Sequence, residues 1–77
     1  MDSEQMYLVG DIVEIFFSSS GNRKWVGLKA EVLPWPENEE QYEDGELHNW
    51  LKPLSDRPDG LERIEFMWST RNLRKVG

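Results

Sequence analysis

The chain has no cysteine, a single histidine, and no apolar run approaching the ~20 residues of a membrane-spanning helix. Each absence removes a class of protein. Without cysteine there is no disulfide framework, and one histidine cannot complete a Cys/His zinc cluster. The first residues, MDSEQMYLVGD, are acidic and polar rather than basic and apolar, so they do not form a signal peptide, and a cytoplasmic location is expected. No Gly-x-Ser-x-Gly or phosphate-binding Gly-Lys-Ser/Thr pattern is present, and His48 has neither a cysteine nor a second histidine to work with. The acids do not follow the spacing of a calcium loop. No catalytic residue, metal or cofactor is therefore predicted, and the chain is expected not to be an enzyme.

The 77 residues suffice for one domain, residues 1–77. A domain this small has a marginal core, and four Trp, three Phe and two Tyr are the main material for it. The net charge is -6 and is unevenly placed. Glu37, Glu39, Glu40, Glu43, Asp44 and Glu46 are six of the 15 acids, with no basic residue among them; the remaining nine balance nine Lys and Arg. A phosphate-binding groove needs clustered Lys and Arg, so direct nucleic-acid binding is not expected.

Periodicity points to an all-β fold. Ile12 to Phe17 is β-branched and aromatic, with Val13, Ile15 and Phe17 on one face and Ile12 and Phe16 on the other. After a polar loop, Val26, Leu28, Ala30 and Val32 alternate with polar residues. Trp25 and Leu33 then fall on the polar face, as does Trp35 if the path stays extended. Pro34 and Pro36 end this strand. The acidic residues 37–46 suit either a short helix or an irregular solvated loop. Residues 47–54 form a third strand, placed at an edge by Pro53. Pro58-Asp59-Gly60 is a turn. A fourth strand, residues 61–68, puts Ile64, Phe66 and Trp68 in the core and Arg63 and Glu65 outside. Ser69 is positioned to cap one helical turn before a closing strand at residues 73–76. Arg57, Arg63, Arg71, Arg74 and Lys75 read as ordinary surface charge.

The ending, a strand, one helical turn and then Asn72-Leu73-Arg74-Lys75-Val76, resembles the close of an SH3-like barrel. Gly10-Asp11-Ile12-Val13-Glu14-Ile15, followed by Trp25 and Ala30-Glu31-Val32-Leu33, is similar to the first two strands of Tudor and Agenet domains. The resemblance covers both ends of the chain, and the acidic middle has no counterpart in it. It implies a small five-stranded SH3-like barrel with a long acidic loop. For function it implies a Tudor-like reader of methylated Lys or Arg.

The expected contact residues lie between the second and third strands. Trp35, Tyr42 and Trp50 are aromatic residues beside Glu39, Glu40, Glu43 and Asp44, a composition that suits a protein-contact patch. The acidic segment either keeps the protein soluble or docks a basic partner. Trp35 and Trp50 are either core rings or exposed ones. The expected activity is that of a protein-interaction module for a basic or proline-rich protein partner. A methyl-Lys/Arg reader and a small acidic regulator or inhibitor of a nucleic-acid-binding target are the alternatives. Life as a subunit of a larger complex fits a marginal core.

Overall fold

The computed structural model describes residues 7–18, 23–43 and 45–76. The leader, the centre of the polar loop (residues 19–22) and Asp44 lie outside them. The all-β expectation holds: six antiparallel strands form one sheet, with two short 3₁₀ turns between them. The strands are β1 (Ile12–Ile15), β2 (Lys29–Leu33), β3 (Tyr42–Glu43), β4 (Glu46–Pro53), β5 (Phe66–Ser69) and β6 (Leu73–Lys75). Their order is β3-β4-β2-β1-β6, with β5 pairing to β4. Among the described residues no ladder joins β5 to β6, so the sheet is open there rather than a closed five-stranded barrel. The sixth strand, β3, arises because part of the acidic segment doubles back as a hairpin on the start of β4 instead of forming a helix.

The inward faces follow the period of two. Val13 and Ile15 of β1, Ala30 and Val32 of β2, and Leu47, Leu51 and Pro53 of β4 are buried. Phe66 and Leu73 join them, and the Tyr7 hydroxyl donates to Leu73 O at 3.0 Å across the core. Burial raises the Tyr7 pKa, with the Asp11 carboxylate adding to the effect. On β4 the polar Asn49 also points inward, where its Oδ1 accepts from Thr70 Oγ at 2.8 Å.

Several expectations are corrected. β4 is central, not an edge strand; it pairs with β2, β3 and β5. Pro53 stands at its last position, where the missing N–H costs little of the ladder. Trp25 is buried in the 3₁₀ turn Arg23–Trp25, not displayed on the polar face of β2. Gly27, at φ +99°, breaks the extended path between them and resets which side chains face in. Val26 is exposed for the same reason. Phe17 lies past the end of β1 and is exposed, as is Phe16. With Ser18, Arg23 and Val26 these two rings line an open groove of about 440 Å³.

The fourth strand starts five residues later than expected. Glu62 adopts φ +55°, which interrupts any strand through it, and Ile64 is 59% exposed rather than core. Phe66 is buried and Trp68 packs against the core, as expected of that face. Arg57, read as surface charge, is instead largely buried over the Trp25 and Phe66 rings. The 3₁₀ turn Thr70–Asn72 and the closing strand are where the sequence places them. Ser69 makes no cap hydrogen bond; its hydroxyl donates to Glu46 Oε1 at 2.8 Å.

Candidate functional site

The outer face of the sheet carries the residues that alternate with the core positions. Much of it is charged in register. Arg74 on β6 bridges Glu14 on β1 at 3.1 Å, and Glu31 on β2 lies opposite Lys52 on β4. One row breaks this pattern. Leu33, Trp50 and Met67 stand side by side across β2, β4 and β5. β2 ends at Leu33, and just beyond it the Trp35 ring meets the Trp50 ring edge-on, with centroids 5.5 Å apart and planes at 84°. Such a T-shaped contact is a favoured aromatic geometry.

Both indole N–H groups are tied down within the chain. Trp35 Nε1 donates to Glu39 O at 2.8 Å, and Trp50 Nε1 donates to Glu65 Oε1 at 3.2 Å. The rings are therefore held in place while their faces stay partly open to solvent. A fixed pair of rings loses little freedom when something binds them.

The structure brings together only some of the predicted residues. Trp35, Trp50 and the Glu39 backbone meet. Glu40 is exposed with no hydrogen bond or ion pair among the described residues. Tyr42 is 55% exposed and opposes Leu47, so it leaves the β3–β4 hairpin on the side away from Trp50. Glu43 faces Glu46 across that hairpin, a like-charge pair. Asp44 lies outside the described residues. Leu33 was legible as an outward residue of β2. Glu65 was legible as outward-facing but not as a site residue, and Met67 was missed, although alternation with Phe66 and Trp68 places it outside.

Trp35 also borders a recess of about 190 Å³ with Tyr7, Val9, Val32, Leu33, Gln41 and Asn49. Of the aromatic pair only Trp35 lines it, and Val32 and Asn49 reach it from the inward faces of β2 and β4.

A second polar group lies further along the outer face. His48 opposes Ser69, but the Ser69 hydroxyl donates to Glu46 and not to the imidazole. His48 Nδ1 lies 3.0 Å from Glu46 O. The Ser69 proton is thus directed at Glu46 and away from the imidazole. Arg71 adds a 3.3 Å ion pair to Glu46. The Ser69 hydroxyl, then Arg71 and His48, hold the Glu46 carboxyl below its ordinary value of 4.5 against the opposing effect of burial. A carboxyl lowered by folding stabilises the fold fully above its unfolded pKa, and loses that contribution as pH falls through the folded one. Glu46→Gln is thus expected to flatten stability against pH below about pH 4.5. Urea midpoints of both proteins from about pH 3 to 7 check this; parallel curves would refute it.

Among the described residues no cluster of three or more His, Cys, Asp or Glu is arranged to hold a metal ion, and no helix is long and apolar enough to cross a membrane. No family model, curated protein or solved structure matches the chain.

Proposed function

We propose that the chain is a non-enzymatic interaction module of SH3-like architecture, which binds a basic or proline-rich segment of a protein partner on the Trp35–Trp50 face. The observation that carries this reading is the apolar row Leu33–Trp50–Met67, with Trp35 standing against it, on an outer face much of which is charged. None of these side chains belongs to the buried core. Rigid rings with open faces take up proline rings or cationic groups, the latter at roughly 0.5–2 kcal/mol each. Glu31, Glu39 and Glu65 nearby favour a basic partner, and the acidic segment would steer its approach. The path β6-β1-β2-β4-β5, with a 3₁₀ turn between β5 and β6, supports the SH3-like reading.

A second reading has its own support. Two rings at 84° are two walls of an aromatic cage, as a Tudor-like methyl-Lys/Arg reader would use. The test is one NMR titration with basic, proline-containing peptides, with and without methylated Lys. Peptide binding should shift the Trp35 and Trp50 indole signals and weaken as salt rises. Trp50→Ala should reduce affinity at least about tenfold, as for other central interface aromatics, with little change in the urea midpoint. A clear preference for methylated peptides would favour the cage. Indole signals that ignore every peptide would sink both readings.

A further inference from the structure

At the end of β1 three large apolar side chains stand in solvent together: Phe16 is 45% exposed, Phe17 52% and Val26 47%. With Ser18 and Arg23 they line the groove of about 440 Å³. Exposed apolar side chains gathered round a groove mark an interaction site, whereas single scattered ones do not. Among the described residues no acid lines it. Arg23 is also the one arginine without an ion pair among the described residues; the other four each meet a carboxylate. Lys24 beside it is likewise exposed and unpaired. The groove therefore suits an apolar ring that arrives with a carboxylate for the guanidinium.

The same chain carries that combination at the other end of its sheet. Glu37, Glu39, Glu40 and Glu43 are exposed, and none of them is in an ion pair among the described residues. Tyr42 stands exposed among them and takes no part in the Trp35–Trp50 contact. The segment is held in shape, because Trp35 Nε1 donates to Glu39 O and the His48 N–H donates to Gln41 O at 3.0 Å. A pre-shaped segment loses little freedom on docking.

One chain cannot join the two ends. The groove lies where Ile15 pairs with Leu28, just before β2, and the acidic segment follows Leu33 at the far end of that strand. At about 3.3 Å per residue, β2 alone puts about 13 Å of sheet between them. A second copy meets no net repulsion from the rest of the molecule, since the net charge of -6 equals the six acids of residues 37–46. We infer that the groove receives the acidic segment of a second copy, with the Tyr42 ring against Phe16, Phe17 and Val26 and a neighbouring carboxylate on Arg23. The contact joins unlike surfaces, so it repeats head to tail instead of closing as a symmetric dimer. It uses neither Trp35 nor Trp50 and is independent of the reading of that face.

Sedimentation of the whole chain up to millimolar concentration tests this, because so small a contact is weak. The average mass should climb from 9.1 kDa past that of two chains. It should fall as ionic strength rises from about 0.01 to 0.15 M and the Debye length shrinks from about 30 to 8 Å. Phe17→Ser spoils the groove and Tyr42→Ala the anchor, both at exposed positions, and each alone should weaken association at least about tenfold. Mixed in equal amounts they should associate again and stop at two chains, since one variant keeps an anchor and the other a groove. Trp50→Ala should associate like the wild type. A wild type that stays monomeric or stops at two chains, a mixture that stays monomeric, or association lost in Trp50→Ala would overturn the inference. So would an acidic, tyrosine-containing peptide that shifts the Phe16 and Phe17 signals of a chain that itself stays monomeric, which would give the groove to a different protein.

Discussion

Trp25→Ala is expected to destabilise the protein by about 3–5 kcal/mol, the largest loss from any single change considered. The ring is 9% exposed and sits at the centre of the aromatic packing. Its centroid lies 5.1 Å from that of Phe66, tilted by 57°, and 5.2 Å from that of Trp68, stacked at 30°. The Arg57 guanidinium covers it at 5.3 Å. Removing it opens a cavity that its neighbours cannot fill, since Phe66 and Trp68 are held in place by the pairing of β5 with β4. A chain of this length has a total stability of roughly 4–12 kcal/mol, so the variant should be substantially unfolded. Near-ultraviolet circular dichroism and urea unfolding check this. Trp50→Ala is the control, because the same ring on the outer face should cost far less. Equal midpoints for the two variants would show that Trp25 does not organise the core.

Arg57→Ala is expected to cost about 2–4 kcal/mol, an unusual amount for a residue in a charged turn. Its side chain is 10% exposed, far below that of ordinary surface arginines. The guanidinium lies over the rings of both Trp25 and Phe66, each at 5.3 Å. It donates to Ile64 O at 2.9 Å and to Asp59 Oδ2 at 2.7 Å, and its backbone N–H donates to Glu62 O. Truncation would expose the faces of two core rings and leave carbonyls and a carboxylate without their donor. Arg57→Lys should recover only part of the loss, because an ammonium keeps the charge without the planar fork. Asp59 supplies an independent signal. Partial burial pushes its carboxyl up, yet the Arg57 guanidinium and the Leu61 N–H together bring it below its ordinary value of 3.8. In Arg57→Ala the Asp59 carboxyl should titrate higher, which NMR can follow. A wild-type urea midpoint in Arg57→Ala would refute the role of the clamp.

The Arg57 clamp also explains why the stretch before β5 is not part of the strand. Residues 61–65 carry a fair strand pattern, with Leu61, Arg63 and Glu65 alternating with Glu62 and Ile64. Extended backbone needs a neighbouring ladder, and here the carbonyls of Glu62, Ile64 and Glu65 accept from Arg57 instead. Gly60 at φ +85° and Glu62 at φ +55° then turn the chain outward, leaving Ile64 in solvent. No local pattern reveals such an arrangement, because it depends on where Trp25 and Phe66 come to rest.

The candidate site divides in the same way. Trp35 and Trp50 were legible as aromatics close to the acidic segment, with core and exposed positions both open, and Leu33 as outward-facing. That they touch depends on Leu33 pairing with Trp50 across two strands 17 positions apart. Tyr42 belongs to the same acidic stretch, yet the β3–β4 hairpin sends it to the other side. Asn49 reads like any polar residue of a strand, and only its inward position on β4, with the Thr70 hydroxyl against it, puts it in the wall of a recess.

By itself the sequence determined the all-β class, the inward faces of β1 and β2, the single 3₁₀ turn before the last strand, and the concentration of charge in one segment. These follow from local rules: a period of two, proline and glycine punctuation, and composition. The tertiary structure alone decided that Trp25 is core, that Ile64 is not, that β4 is central, and which rings converge. A period-two pattern assigns faces only while the backbone stays extended. At Gly27 and Glu62 it does not, and next to each of them long-range contacts decide that Trp25 is buried and Val26 and Ile64 are not.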